Sequence, residues 1–188
     1  YHEEIAMLYD LHKVLADARA LITFNGKRFD WSLLKDRFTL ARFEPLTKEI
    51  VHLDLLHLAR RMWKDKLESC SLSSLEANIL QVRRVDDLPG SEVPQRFFDF
   101  VQTKNGELLI DVLVHNLIDI LSLVSLTIKL GDVATKEPEQ LGCPWECYAL
   151  AGLYAQNNRL SKAIGYYKRA VDIDTSYMCR YLSLSQLG

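Results

Sequence analysis

The chain has 188 residues, 48% of them hydrophobic and 26% charged, with a formal net charge of −2 and an isoelectric point near 6.2. That size can bury a sizeable core, and it suits one domain with an appendage or two small domains. The charge balance excludes a general polycationic nucleic-acid binder, so any such contact must be a local patch. No apolar run approaches the ~20 residues of a membrane span, and no signal-peptide pattern opens the chain.

Glu3 to Arg19 places Ile5, Leu8, Tyr9, Leu11, Leu15 and Ala16 at helical spacing and predicts an amphipathic helix. Ala20 to Phe24 is a short apolar run before Asn25-Gly26, which reads as an interior parallel strand covered on both faces. A helix over about 29–38 should follow, burying Trp31, Leu34 and Phe38. Ile50 to Asp54 reads as the next strand and Leu55 to Lys64 as the next helix. This alternation points to an α/β fold. Farther on, Ser73 with Glu76 suggests a capping box opening a helix through Leu80. Asp86 to Gly90 reads as a turn, and Pro94 suits the first turn of a helix through Val101. Asn105-Gly106 breaks the chain again. A long helix then runs from about Leu108 to Leu130 and is closed by Gly131.

Residues 133–144, with two prolines and Gly142, are the expected linker. After it, Leu150, Ala151, Tyr154, Ala163, Tyr167 and Ala170 fall where a tetratricopeptide repeat packs its two helices, and Tyr181, Leu184 and Ser185 restart the pattern. Thr175 stands where that repeat expects proline. The plainer reading is a helical hairpin. Either way, one such unit cannot bury its own apolar face. Cys70, Cys143, Cys147 and Cys179 are scattered, and Cys143-Pro-Trp-Glu-Cys147 has no second pair at zinc-ligand spacing. Buried free thiols in a reducing cytoplasm are the expectation.

Two segments carry the chemistry. In Asn25-Gly26-Lys27-Arg28-Phe29-Asp30, Gly26 would permit a tight turn at a strand's end, where open α/β sheets bind ligands. Lys27 and Arg28 would bring positive charge, and Phe29 a ring on which a base can stack for about 1–3 kcal/mol. Asp30 would give a carboxylate to a hard dication, or merely cap the next helix. On the long helix, Asp111, His115 and Asp119 form a polar stripe, ordinarily a solvated face. Asp119 nevertheless lies within the apolar run Leu117-Ile118 and Ile120-Leu121, and a buried carboxylate needs a partner such as a metal ion. His115 could orient or deprotonate a water.

Together these segments resemble the DEDD superfamily of 3′→5′ exonucleases on the ribonuclease H-like fold, and in particular the YprB-type predicted exonuclease family. The strings carrying the resemblance are 22–27 with Phe29-Asp30, 52–57, 67–76, and His115-Asn116 with 119–123. The resemblance implies a ribonuclease H-like domain over 1–132, a linker over 133–144 and an all-α tetratricopeptide-like hairpin over 145–188. It implies catalytic roles for Asp30, His115 and Asp119, metal ligation by Asp30 and Asp119, and substrate contacts from Asn25, Gly26, Lys27, Arg28 and Phe29. Mg²⁺ or Mn²⁺ would be the cofactor of a two-metal site, with Asp30 and Asp119 about 4–8 Å apart around ions ~3.5–4 Å apart. A single-stranded nucleic-acid end would be the substrate and a protein the partner of the repeat. The setting would be cytoplasmic, without a membrane.

Two departures bear on this. His115 takes the four-residue spacing that the tyrosine-type enzymes give their tyrosine. No Asp-x-Glu, the superfamily's first motif, occurs in the sequence. The chain is therefore expected to be either a fragment lacking three strands or a variant without its main metal-binding pair, and inactive alone. Asp54 or Asp111 would have to complete the site otherwise. The alternative function is a catalytically silent nucleic-acid or protein-binding scaffold.

Overall fold

The computed structural model describes residues 3–43, 50–85, 87–173 and 177–187. They fall into two compact units, Tyr1–Leu58 and Ala59–Gly188. In the first, α1 (Glu4–Asp17), β1 (Ala20–Thr23), α2 (Asp30–Leu40) and β2 (Val51–Asp54) follow the expected alternation. β1 and β2 pair in parallel, from Ala20 opposite Val51 to Thr23 opposite Asp54. Leu8, Leu15 and Phe38 form the core of this unit, with Trp31 and Leu34 of α2 packed against it. Apolar residues three to four apart on each helix thus meet across the pair. Ile5 and Tyr9 of α1 stay exposed.

The strands are not covered on both faces among the described residues. Ile22 is 43% exposed and Val51 68%, so the continuous apolar run of β1 marks surface that this unit leaves open.

α3 (Leu55–Trp63) leads into the second unit, where every further element is helical. α4 (Leu72–Leu75) runs into a π-helical turn, Glu76–Leu80. Its cap is Ser71, whose hydroxyl accepts the Ser74 N–H at 3.2 Å, rather than Ser73. Glu76 is thereby free to point its carboxylate inward, 1% exposed. Of the predicted turn at 86–90, Asp86 lies outside the described residues, and the turn observed is shifted along the chain, the Pro89 carbonyl accepting the Glu92 N–H at 2.8 Å. α5 (Val93–Thr103) begins with proline in its first turn. A 3₁₀ turn, Gly106–Leu109, is capped by Asn105, whose side chain accepts the Glu107 N–H.

α6 (Ile110–Thr135) passes straight through Gly131. A lone helical glycine costs about 1 kcal/mol, and the helix ends only where Lys136 turns extended ahead of Pro138. Gly106–Thr135 is long and apolar enough, by length and composition, to cross a membrane. That corrects the expectation that no run comes near the required length. The helix is also inverted. Of its polar stripe, His115 and Asp119 are half-buried, on the helix whose Ser122, Leu126 and Val133 are buried, whereas Leu113, Leu117, Leu121, Val124 and Ile128 are each more than half exposed.

After a 3₁₀ turn at Pro138–Gln140 come α7 (Pro144–Gln156), α8 (Leu160–Ile173) and α9 (Tyr177–Ser185). Leu150, Ala151, Ala163, Tyr167 and Ala170 are buried, and Tyr154 stacks on Tyr166 at 5.2 Å. Thr175 lies outside the described residues. The four cysteines are free thiols. Burial pushes the Cys147 thiol up to about 12, which keeps it protonated and unreactive.

Candidate functional site

In the first unit the chain leaves β1 and turns through Asn25, which takes the left-handed conformation at φ 62°. Asparagine tolerates that region well. Gly26, expected to provide the sharp turn, serves instead as a close-approach position. A Cβ there would lie 2.6 Å from Thr23 Cβ, so only hydrogen fits. The Gly26 carbonyl accepts the Trp31 N–H at 2.8 Å and closes the turn onto α2.

Asp54 holds this turn. Its Oδ1 accepts the N–H of Asn25 at 2.8 Å and of Leu56 at 3.1 Å, and its Oδ2 accepts the N–H of Lys27 at 3.0 Å. The residue is 3% exposed. Burial alone would raise its carboxyl, but the three backbone donors outweigh it and hold the group below the usual carboxylate range. Asp54 is therefore a brace and not a spare metal ligand. Beside it, Thr23 Oγ1 and His52 Nε2 share a hydrogen bond of 2.8 Å. Burial pushes the His52 ring down, the Lys27 ammonium adds to this, and Asp54 opposes it.

The brace presents the rest of the motif outward. Lys27, Arg28, Phe29 and Asp30 are all exposed, Phe29 at 59%. Asp30 is the first residue of α2 and makes no capping bond, since Phe29 is the N-cap residue. Its carboxylate is left available to a ligand.

In the second unit the organising residue is Arg84. Its Nε donates to Glu76 Oε2 at 2.7 Å and Nη2 donates to Glu76 Oε1. Nη1 donates to Asp87 Oδ2 at 2.8 Å and Nη2 to Asp119 Oδ1 at 2.6 Å. The two bonds to Glu76 form a parallel fork, the strongest arrangement open to this pair. The Glu76 bonds, against a smaller burial penalty, raise the Arg84 guanidinium above its ordinary value, and Asp87 and Asp119 add to this. Asp87 in turn accepts the Nδ1–H of His115 at 2.9 Å. Burial pushes Asp87 up, but Arg84 and His115 outweigh it and hold the carboxyl low.

Sequence reasoning thus brought His115 and Asp119 together correctly on one face, with Nε2 to Oδ2 at 3.7 Å. It missed the partner. Asp119 is neutralised by an arginine 35 residues away in sequence, and no periodicity in the chain signals that pairing. Asp111, on the same stripe, is exposed.

The Asp87 bond fixes the neutral imidazole as the Nδ1–H tautomer and leaves Nε2 as an acceptor. On that side stand Asp119 Oδ2, 3.7 Å from Nε2, and Gly90, where an added Cβ would lie 3.9 Å from Nε2. Such a nitrogen can take a proton from a bound water.

A two-metal site needs several carboxylates around one pair of ions. Among the described residues no group of three or more His, Cys, Asp or Glu side chains could hold an ion. Asp30 belongs to the first unit and Asp119 to the second, and Asp119 already shares the Arg84 guanidinium. The donors present do not by themselves fit such a site.

Comparison with known proteins adds to this. A family model described as the RNase_H superfamily matches residues 1–131. The chain is 37% identical over 166 residues to an uncharacterized protein, YprB, of Bacillus subtilis (strain 168), covering 88% of the chain. It spans about 40% of the length of that relative. No solved structure matches the chain.

Proposed function

The chain belongs to the ribonuclease H superfamily, and on that premise we propose that the intact protein is a 3′→5′ exonuclease hydrolysing phosphodiester bonds in DNA or RNA. The observation that carries the reading is His115, held by Asp87 through Nδ1 with Nε2 left as the acceptor. In the proposed reaction Nε2 orients the attacking water and takes its proton. Lys27 and Arg28 meet the phosphates, Phe29 stacks on a base, and Asn25 and Gly26 bring the backbone close to the strand. Mg²⁺ or Mn²⁺ is the cofactor that the superfamily implies, with Asp30 and Asp119 as ligands in the intact protein. Because the donors among the described residues do not complete a site, no step is assigned to the ion, and the 188-residue chain alone should not turn over.

We assign residues 1–132 to the nuclease domain, 133–144 to a linker and 145–188 to a tetratricopeptide-type module that meets a protein partner. α6 is read as a helix of the folded domain in the cytoplasm and not as a membrane span. Its Asp119 and His115 are engaged by Arg84 and Asp87.

One observation favours the second reading, a catalytically silent scaffold: Arg84 occupies the Asp119 carboxylate that catalysis would require. The deciding test is release of mononucleotides from end-labelled single strands by the intact protein with Mg²⁺ or Mn²⁺. We expect release that is abolished by Asp30→Ala or Asp119→Asn and slowed about 10²–10⁴-fold by His115→Ala, the usual size of general-base catalysis. An intact, folded protein that releases nothing with either ion leaves the scaffold standing. Steady release by the 188-residue chain would mean that other carboxylates complete the site.

A further inference from the structure

A cleft of about 440 Å³ in the second unit lies between the end of α3 and the helices α7 and α8. One wall carries Arg60, Arg61 and Lys64, and Asp65 is the only carboxylate in the lining. All three cations are exposed. Arg61 Nη2 donates to the Gln156 amide oxygen at 2.9 Å, and none of the three forms an ion pair among the described residues. Three cations facing one carboxylate are an unneutralised excess on a chain whose net charge is −2. The opposite wall carries Tyr148, half-buried, whose ring is backed by that of the buried Tyr167, 5.8 Å away and tilted by 59°. Gly152 lines the cleft beside the Tyr167 hydroxyl, which stands 3.9 Å from where a Cβ would sit.

We propose that this cleft binds a single-stranded nucleic acid, its phosphodiester backbone against Arg60, Arg61 and Lys64 and a base against Tyr148. Cations that track a backbone beside a ring that tolerates any base are the combination single-strand binding uses. Arg60, Arg61 and Lys64 occupy little more than one turn, so they can neutralise neighbouring phosphates together. The cleft shares no lining residue with the Arg84 cluster or with the Asp54-braced turn. The proposal rests on the reading that this protein acts on nucleic acid, and it adds a second binding surface outside the reacting centre. An acidic peptide would satisfy the cations equally but makes no use of the ring.

The test is fluorescence anisotropy of a labelled single-stranded oligonucleotide with the 188-residue chain over a range of salt. The chain should bind. R60E/K64E should weaken binding by at least about tenfold and flatten the salt dependence by about 0.7 in log–log slope for each phosphate no longer neutralised. R60Q/K64Q should show a smaller shift in the same direction, and unchanged thermal melting of both variants separates charge from folding. Wild-type binding whose affinity and salt slope survive R60E/K64E overturns the proposal. So does a chain that binds polyglutamate at this cleft and no oligonucleotide. Intact protein that binds through the cleft yet releases no nucleotide sinks the nuclease reading alone. Hydrolysis unaffected by R60E/K64E, with unchanged binding, sinks the cleft alone.

Discussion

The Asp54-braced turn and the Arg84 cluster each immobilise acidic side chains, but by opposite means. Asp54 is held by three backbone N–H groups, whose positions are fixed by the chain's own path. Glu76, Asp87 and Asp119 are held by one flexible side chain. The backbone brace loses at most one carboxylate when mutated. The arginine hub, once removed, takes a donor from three, and leaves Glu76 buried without one while Asp87 keeps His115. A hub therefore concentrates stability in a single residue, whereas the brace spreads it over a segment.

The largest effect should come from Arg84→Ala. Glu76 has a side chain only 2% exposed, and losing its partner leaves a buried charge uncompensated, at a cost of about 3–5 kcal/mol. Denaturant unfolding should show it. Adding Glu76→Gln should recover part of the loss, because the stranded charge disappears. A loss no greater than an ordinary surface substitution would show that the hub is not what holds these elements.

Asp54→Asn should cost less, about 1–3 kcal/mol, since an amide keeps one acceptor for three donors. It should also alter the pH profile. The folded Asp54 carboxyl lies below its ordinary value of 3.8, so its stabilisation is complete above that value and is lost as pH falls through the lowered native one. Acid unfolding followed by circular dichroism should therefore begin less steeply in the variant than in the wild type. Identical acid limbs would assign the sensitivity to other carboxylates, Asp87 among them.

The smallest comparison is between two glycines. Gly26→Ala forces a methyl to 2.6 Å from Thr23 Cβ, and the backbone must shift at a cost of about 1–3 kcal/mol. Gly90→Ala meets only His115 Nε2 at 3.9 Å and should stay within about 0.5 kcal/mol of wild type. Paired thermal melts check this, and equal costs would mean the turn relaxes freely.

The sequence made one kind of order legible and hid another. The order α1, β1, α2, β2, α3 could be read because each element repeats its own period over neighbouring residues. The same holds for α6, whose C-terminal end moved because Gly131 is tolerated inside the helix and whose start moved because Gly106–Leu109 forms a 3₁₀ turn. The Ser71 cap was misplaced by two residues, since three serines near the start of α4 compete for one role. Arg84 and Asp87 escaped notice because, beyond the bond they make to each other, their partners lie 8 to 35 residues away along the chain. Charge pairing at such distance leaves no periodic trace. The apolar residues of α6 misled in another way: they suggested that Asp119 was buried among them, whereas the helix turns them outward.

Asp54 also has a consequence for the order of events in folding. It reaches Asn25 across 29 residues and Lys27 across 27, so the turn carrying Asp30 cannot be fixed by its own neighbourhood. Until α2 has formed and β2 has aligned beside β1, Asn25 and Lys27 lack their acceptor, and the segment samples other conformations. Pairing parallel strands across such a span is slow relative to forming local contacts. The outward-facing motif is thus among the last features of the first unit to take shape, finished by a strand made after it.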